Sequence, residues 1–327
     1  MTSLNCTKTI EMKSLTQGEN FMSAQNDIRE RVTNEIVEAL QHGTAPWRKP
    51  WNNLENSGYP TNAVSKKLYR GINPLLLQFA AQRRGFTSKW WATYQQWAGI
   101  GCQVMKRPAD VPAGAWGTKV ILWKPIKTTK KNSNGEDKET TFPLMREYTV
   151  FCADQVEGNA IDKYRTHVPT TAAVIDYEPA EKVIAATGAD IRHVAGGQAA
   201  YFRPPQDYIV MPLKSQFANL AGYYSTALHE TSHWSETRLG WTGSYALGEL
   251  RAELSAAYLM AAVGVPQIGA DLTANTASYL ESWIKCLKED HSAIFKISSA
   301  ASKAADFILS FSQEAQAEEE IEEVMAA

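Results

Sequence analysis

Between Leu228 and Trp234 the chain reads His229-Glu230-Thr231-Ser232-His233, and this run constrains the fold more than any other stretch. Residues four apart lie about 40° apart around an α-helix, so the two imidazoles face one way if the segment is helical. Placed so, they can share one tetrahedral Zn²⁺, with Glu230 projecting beside it. Zinc lowers the pKa of a water toward about 7, and Glu230 is placed to act as the base that takes its proton. The fold must therefore set this helix against another element that brings a further ligand.

Twenty residues past His233 a second helical stretch carries Glu249 and Glu253 on one face. Glu253 stands among Ala252, Leu254, Ser255, Ala256 and Ala257, a setting that would bury its charge, and a buried carboxylate needs a metal or a partner. Glu253 is the preferred third ligand. Glu249, one turn earlier, is read as a brace for one of the histidines. The donor set suits Zn²⁺, with Mn²⁺ or another divalent ion as an alternative.

A chain of 327 residues exceeds what one core usually serves, so two domains are expected. Its net charge of −2 conceals a division. Residues 27–150 hold 19 Lys and Arg against 10 Asp and Glu, while residues 151–327 hold 12 against 23. Polyanion binding therefore belongs to the first half. Seven of the ten tryptophans (47, 51, 90, 91, 97, 116 and 123) fall there too, interleaved with cations. That mixture suits single-stranded nucleic acid, whose bases stack on aromatic faces while lysine and arginine follow the phosphates. For any single tryptophan, a place in the core competes with that reading. The contact set is Trp47, Arg48, Lys49 and Trp51 in a proline-stiffened loop, Arg70 and Asn73 in the turn that follows, and Lys66, Lys67 and Lys106.

The four cysteines lie far apart without a CxxC pair, so neither a disulfide framework nor a cysteine zinc site is suggested. No run is long and apolar enough to span a bilayer, and the polar N-terminus lacks a secretory layout, so a cytoplasmic protein is expected. Residues 1–25 read as a disordered leader, with Met22 an alternative start to Met1. Periodicity predicts helices over Asp27–Gln41, Pro74–Arg84, Thr93–Ala98, Ala180–Thr187, Gln216–Thr237, Tyr245–Val263, Asp271–Leu287 and Ser298–Ser310. Strands are expected at Lys119–Trp123, Tyr148–Cys152, Ala199–Phe202 and Tyr208–Met211, with Lys127–Thr141 as an exposed hairpin loop or insertion. The class is α+β: a mixed α/β single-strand-binding domain over 26–155, a mostly helical metallopeptidase-like domain over 156–312, and an acidic tail over 313–327.

Pro46-Trp47-Arg48-Lys49-Pro50-Trp51, Tyr69-Arg70-Gly71-Ile72-Asn73, Trp123-Lys124-Pro125 and Tyr148–Phe151 with Asp154–Gly158 resemble the ArdC antirestriction family. Gly188–His193, Leu228-His229-Glu230, His233-Trp234, Arg238-Leu239 and Tyr245-Ala246 ahead of Ala252-Glu253-Leu254 resemble that family's zincin-like C-terminal domain. The resemblance covers roughly residues 26–310. It implies a plasmid-borne protein that binds single-stranded DNA through a domain related to TraC primases. Such a protein shields incoming DNA from host restriction during conjugation, with host restriction enzymes as further partners. It also implies Glu253 as third ligand. The competing reading is a DNA-dependent metallopeptidase that cleaves DNA-bound proteins or itself. A primase ranks below both, because no aspartate cluster suits two metals.

Overall fold

The computed structural model describes residues 25–47, 56–131, 137–166, 177–266 and 274–326. Residues 1–24 of the expected leader, Arg48, Lys49 and Trp51 lie outside the described residues. Helix α1 covers 25–41 and buries Val32, Ile36 and Leu40, three residues spaced at one turn each. Strand β1 (Thr61–Asn62) runs parallel to β2 (Trp90–Thr93), with α2 (Asn73–Arg84) between them in sequence. Thr93 and Gln96 form a capping box that starts α3 (Tyr94–Gly99) directly after β2. Short β3 (Gln103–Val104) pairs with β6 (Val156–Glu157). Strands β4 (Thr118–Lys131) and β5 (Asp137–Cys152) complete a sheet of order β1-β2-β5-β4.

The antiparallel β4–β5 ladder runs from Thr118↔Val150 to Lys131↔Asp137, so most of the expected loop over Lys127–Thr141 is paired strand. Polar composition suggested a loop, but threonines at 128, 129, 140 and 141 favour extended backbone.

The second half begins with α4 (Glu178–Ala186) and a sheet of order β7-β9-β8, formed by β7 (Asp190–Val194), β8 (Tyr201–Arg203) and β9 (Tyr208–Pro212). Strand β7 was not anticipated. Helices α5 (Leu220–Leu239), α6 (Tyr245–Val263), α7 (Ala274–Glu289) and α8 (Ala293–Ala326) follow. The last begins earlier than predicted and continues through the stretch read as an acidic tail.

The two halves share one core. Val32, Ile36, Leu40, Trp47, Tyr59 and Leu75 belong to the same buried cluster as Leu228, Trp234, Leu254, Tyr258, Trp283 and Ile294. Tyr59 meets Tyr258 edge-to-face at 5.8 Å, and Thr33 Oγ1 donates to the His291 carbonyl at 2.9 Å. Gly58 approaches α6 so closely that a Cβ would stand 2.9 Å from the Ala261 carbonyl oxygen; its φ of +115° is also one that side chains disfavour. Two smaller clusters, around Trp97 and Tyr164 and around Leu77, Trp91 and Val150, belong to the N-terminal half that precedes α4, the first drawing Val156, Ile161 and Tyr164 from past the expected boundary at 155.

Candidate metal centre

Helix α5 is fixed at both ends. Asn219 caps its N-terminus by accepting from the Gly222 amide at 2.8 Å, and Gly240, at φ 65°, ends it in the left-handed conformation. Five residues later α6 starts and packs against α5 as a helical hairpin. On α5 the His229 and His233 rings lie 4.8 Å apart, centroid to centroid, and their Nε2 atoms 3.2 Å apart. The Glu249 carboxylate faces both: Oε2 is 3.5 Å from His229 Nε2 and Oε1 is 3.5 Å from His233 Nε2. Donor atoms of the three residues all lie within 4.8 Å of one another, so a divalent metal could be held there.

Among the described residues it is Glu249, expected as a brace, that completes the cluster with the two histidines, where Glu253 was the preferred ligand. The expectation took Glu253's small sequence neighbours as its surroundings. On a helix adjacent residues point about 100° apart, so those neighbours reflect how α6 packs and not where Glu253 sits. Across a short hairpin the early turns of α6 face the late turns of α5, which brings Glu249 alongside His233.

Glu230 is 7% exposed. Burial pushes its carboxyl up, while His229, His233 and the Phe202 backbone N–H of β8 pull it down; the net direction is up. Burial also disfavours the His233 cation, but hydrogen bonds to Glu236 and Glu249 outweigh this and lift it to about 10. Glu249 loses solvation as well, yet hydrogen bonds from both histidines hold it well below the usual carboxylate range.

Sequence reasoning missed a supporting layer. Glu236 Oε1 lies 3.0 Å from His233 Nδ1. A carboxylate can only accept, so Nδ1 carries the proton and Nε2 turns to the shared centre. Arg251 of α6, 1% exposed, lies 3.7 Å from Glu236 and donates to the Ser232 carbonyl at 3.0 Å and to Ser235 Oγ at 2.9 Å. Gly248 makes room, since a Cβ there would come within 3.3 Å of Glu236 Oε1. The one available signal was spacing: Glu236 falls one turn after His233 on the same face. Beside Glu249, the hydroxyl of exposed Tyr245 is 3.0 Å from that of Tyr279.

The expected DNA contacts divide. Trp47 is fully buried and packs edge-to-face on Trp283 at 6.0 Å, so it is a core residue and not a stacking platform. The docking of α1 on the C-terminal helices carries the following residues into the shared core, and burial of a large indole contributes strongly there. Asn73 is likewise engaged, its amide donating to the Ile121 carbonyl at 2.8 Å and accepting from the Ile121 N–H at 2.7 Å. It clamps α2 to β4. Arg70 pairs with Asp306 of α8 at 2.8 Å while 48% of its side chain stays exposed. Lys66, Lys67 and Lys106 are exposed. No helix among the described residues is long and apolar enough to cross a membrane.

Residues 26–151 match the profile of the N-terminal domain of anti-restriction factor ArdC, and residues 178–303 match that of a zincin-like metallopeptidase. A DNA primase TraC of Escherichia coli is 37% identical over 301 residues, which cover 87% of this chain and 27% of TraC. The chain thus spans about a quarter of that relative's length. Uncharacterized protein y4eC of Sinorhizobium fredii is 33% identical over 90% of this chain and 95% of its own. Among solved structures, the metal-free antirestriction ArdC protein from plasmid R388 superposes with a TM-score of 0.69 at 35% identity, covering 88% of this chain and 98% of that one. The Mn(II)-bound structure of the same R388 protein gives 0.65 at 34% identity, covering 87% and 97%.

Proposed function

The chain belongs to the ArdC antirestriction family, and from that membership we propose that it binds single-stranded DNA and protects incoming DNA from host restriction during conjugation. The observation that carries this reading is the match to R388 ArdC, which takes in 88% of this chain and 98% of that protein. The excess of lysine and arginine in residues 27–150 supports placing the DNA on the N-terminal half. Priming, as the name TraC denotes it, is not carried over from a relative that this chain matches over 27% of its length.

For the C-terminal half we propose a divalent ion, Zn²⁺ or Mn²⁺, held by Nε2 of His229, Nε2 of His233 and the carboxylate of Glu249. The convergence of these donors supports the set, and the Mn(II)-bound R388 relative supports a divalent ion in this family. When bound, such an ion supplies a Lewis acid toward a carbonyl and brings water closer to ionisation at neutral pH. Glu236 fixes the His233 ring. In its ionised form Glu230 takes a proton from the nucleophile and returns it to the leaving group, and the burial that raises its pKa makes that carboxylate the stronger base. Its sheltered position beside the histidines favours a second reading, in which the protein cleaves a DNA-bound protein or itself.

The test is transfer of an unmodified plasmid into restricting and non-restricting recipients, with wild type and Glu230→Ala. The wild type should raise transfer into the restricting host alone; no effect there would overturn the antirestriction reading. Protection that survives Glu230→Ala assigns the function to binding. Protection lost while folding and DNA affinity persist assigns it to hydrolysis.

A further inference from the structure

We propose that the DNA strand crosses the N-terminal half over Lys66, Lys89 and Lys163, whose ammonium groups gather around the rings of Trp90 and Tyr164 and meet the phosphodiester backbone. This rests on the single-strand-binding reading above and deepens it. The three lysines come from three separate segments: the turn after β1, the residue before β2, and the turn after β6. Lys66 Nζ stands 4.3 Å from the Trp90 ring centre, 4.5 Å from that of Tyr164 and 3.4 Å from the Tyr164 hydroxyl. Lys89 Nζ lies 5.2 Å from the Trp90 ring centre and Lys163 Nζ 5.1 Å from that of Tyr164.

The rings are rigidly held. They meet edge-to-face at 5.7 Å, the Trp90 indole N–H donates to Asn56 Oδ1 at 2.7 Å, and Tyr164 also packs on Trp97 at 5.4 Å. Lys66 itself has a φ of 59°, a left-handed conformation that glycine would adopt without strain. The Asn62 side chain holds that turn by accepting from the amides of Val64 at 3.1 Å and Ser65 at 2.9 Å. Among the described residues, no ion pair reaches any of the three lysines. Burial also keeps Lys89 below the ordinary lysine range, so an approaching anion would relieve a real cost there.

Like charges held together on fixed rings, with the nearby Asp154 carboxylate already engaged by the Thr87 and Ser88 amides, are organised for an anion from outside. With ammonium groups over their faces, Trp90 and Tyr164 serve to position cations and do not stack on bases. Binding at this place should therefore be indifferent to base identity.

The experiment is fluorescence anisotropy on the full-length protein with an oligothymidylate of about twenty nucleotides, across roughly 50 to 200 mM salt. It compares wild type, Lys66→Gln/Lys89→Gln/Lys163→Gln, the triple arginine variant, and a control Lys285→Gln/Lys288→Gln on α7. Each phosphate contact on a single strand contributes about 0.7 to the log–log salt slope, so the glutamine variant should lose about 2 from it. Its affinity at the lowest salt should fall on the order of ten- to a hundredfold. The arginine variant and the control should keep the wild-type slope, and an abasic strand should show the same dependence on the lysines. If the wild type binds and the glutamine variant keeps its slope, or if glutamine and arginine variants lose it alike, the site is wrong while DNA binding stands. If the wild type binds no strand at low salt, the DNA reading itself fails.

Discussion

Glu236 makes an oriented ligand of a histidine that would otherwise be free to turn. Its hydrogen bond to His233 Nδ1 leaves Nε2 facing His229 and Glu249. Glu236→Ala should therefore weaken Zn²⁺ or Mn²⁺ binding about 10- to 100-fold, read by competition with a chromophoric chelator, with the fold retained. Unchanged affinity would mean that Glu236 serves only Arg251. Arg251→Met should lower stability by about 1 to 3 kcal/mol in urea unfolding, because it removes buried hydrogen bonds to the Ser232 carbonyl and the Ser235 hydroxyl and the charge facing Glu236. A loss below about 1 kcal/mol would mean that water replaces the guanidinium. At this scale His229, Glu230 and His233 were legible because one helical turn fixes their relation. The choice between Glu249 and Glu253 was not, since it depends on how two helices meet, which no spacing within either one encodes.

The elements tell a similar story. Helix α1 was readable from its four-residue repeat, and α5 and α6 from theirs, but a tryptophan in a basic loop could not be sorted between core and surface. The buried contact of Trp47 with Trp283 predicts that Trp47→Ala costs about 3 to 5 kcal/mol of stability. A variant that loses DNA affinity but melts like the wild type would restore the stacking reading. The turn entering α8 offers a test by pH. Asp290 accepts from the Ser292 amide at 2.8 Å and from its hydroxyl, and Lys296 Nζ stands 3.0 Å away. The Ser292 hydrogen bonds, helped by Lys296 against a burial penalty, lower its carboxyl from 3.8 to about 2. A depressed folded pKa contributes stability above the unfolded value, lost as pH falls from about 4 through about 2. After a discount for its exposure, Asp290→Asn should cost about 0.5 to 1 kcal/mol at pH 6 and nearly nothing at pH 2. An equal cost at both would point to packing instead of charge.

At the scale of the molecule, sequence divided the chain into a basic and an acidic domain, and the charge counts behind that division stand. What composition could not reveal is that Val32, Ile36 and Leu40 complement the C-terminal helices, because an apolar stripe does not name its partner. Gly58 pressed against Ala261, Tyr59 on Tyr258, and Arg70 on Asp306 fasten the same seam. Thermal unfolding should accordingly proceed in one transition, with calorimetric and van't Hoff enthalpies equal. Two separable transitions would mean that the halves hold themselves together. The seam also bears on how such a chain can be inherited. A recombination breakpoint between the halves would leave each descendant with half a core, so the heritable cassette is the pair. That the match to the much longer TraC chain takes in 87% of this one, both halves included, is what a cassette moved whole would leave behind.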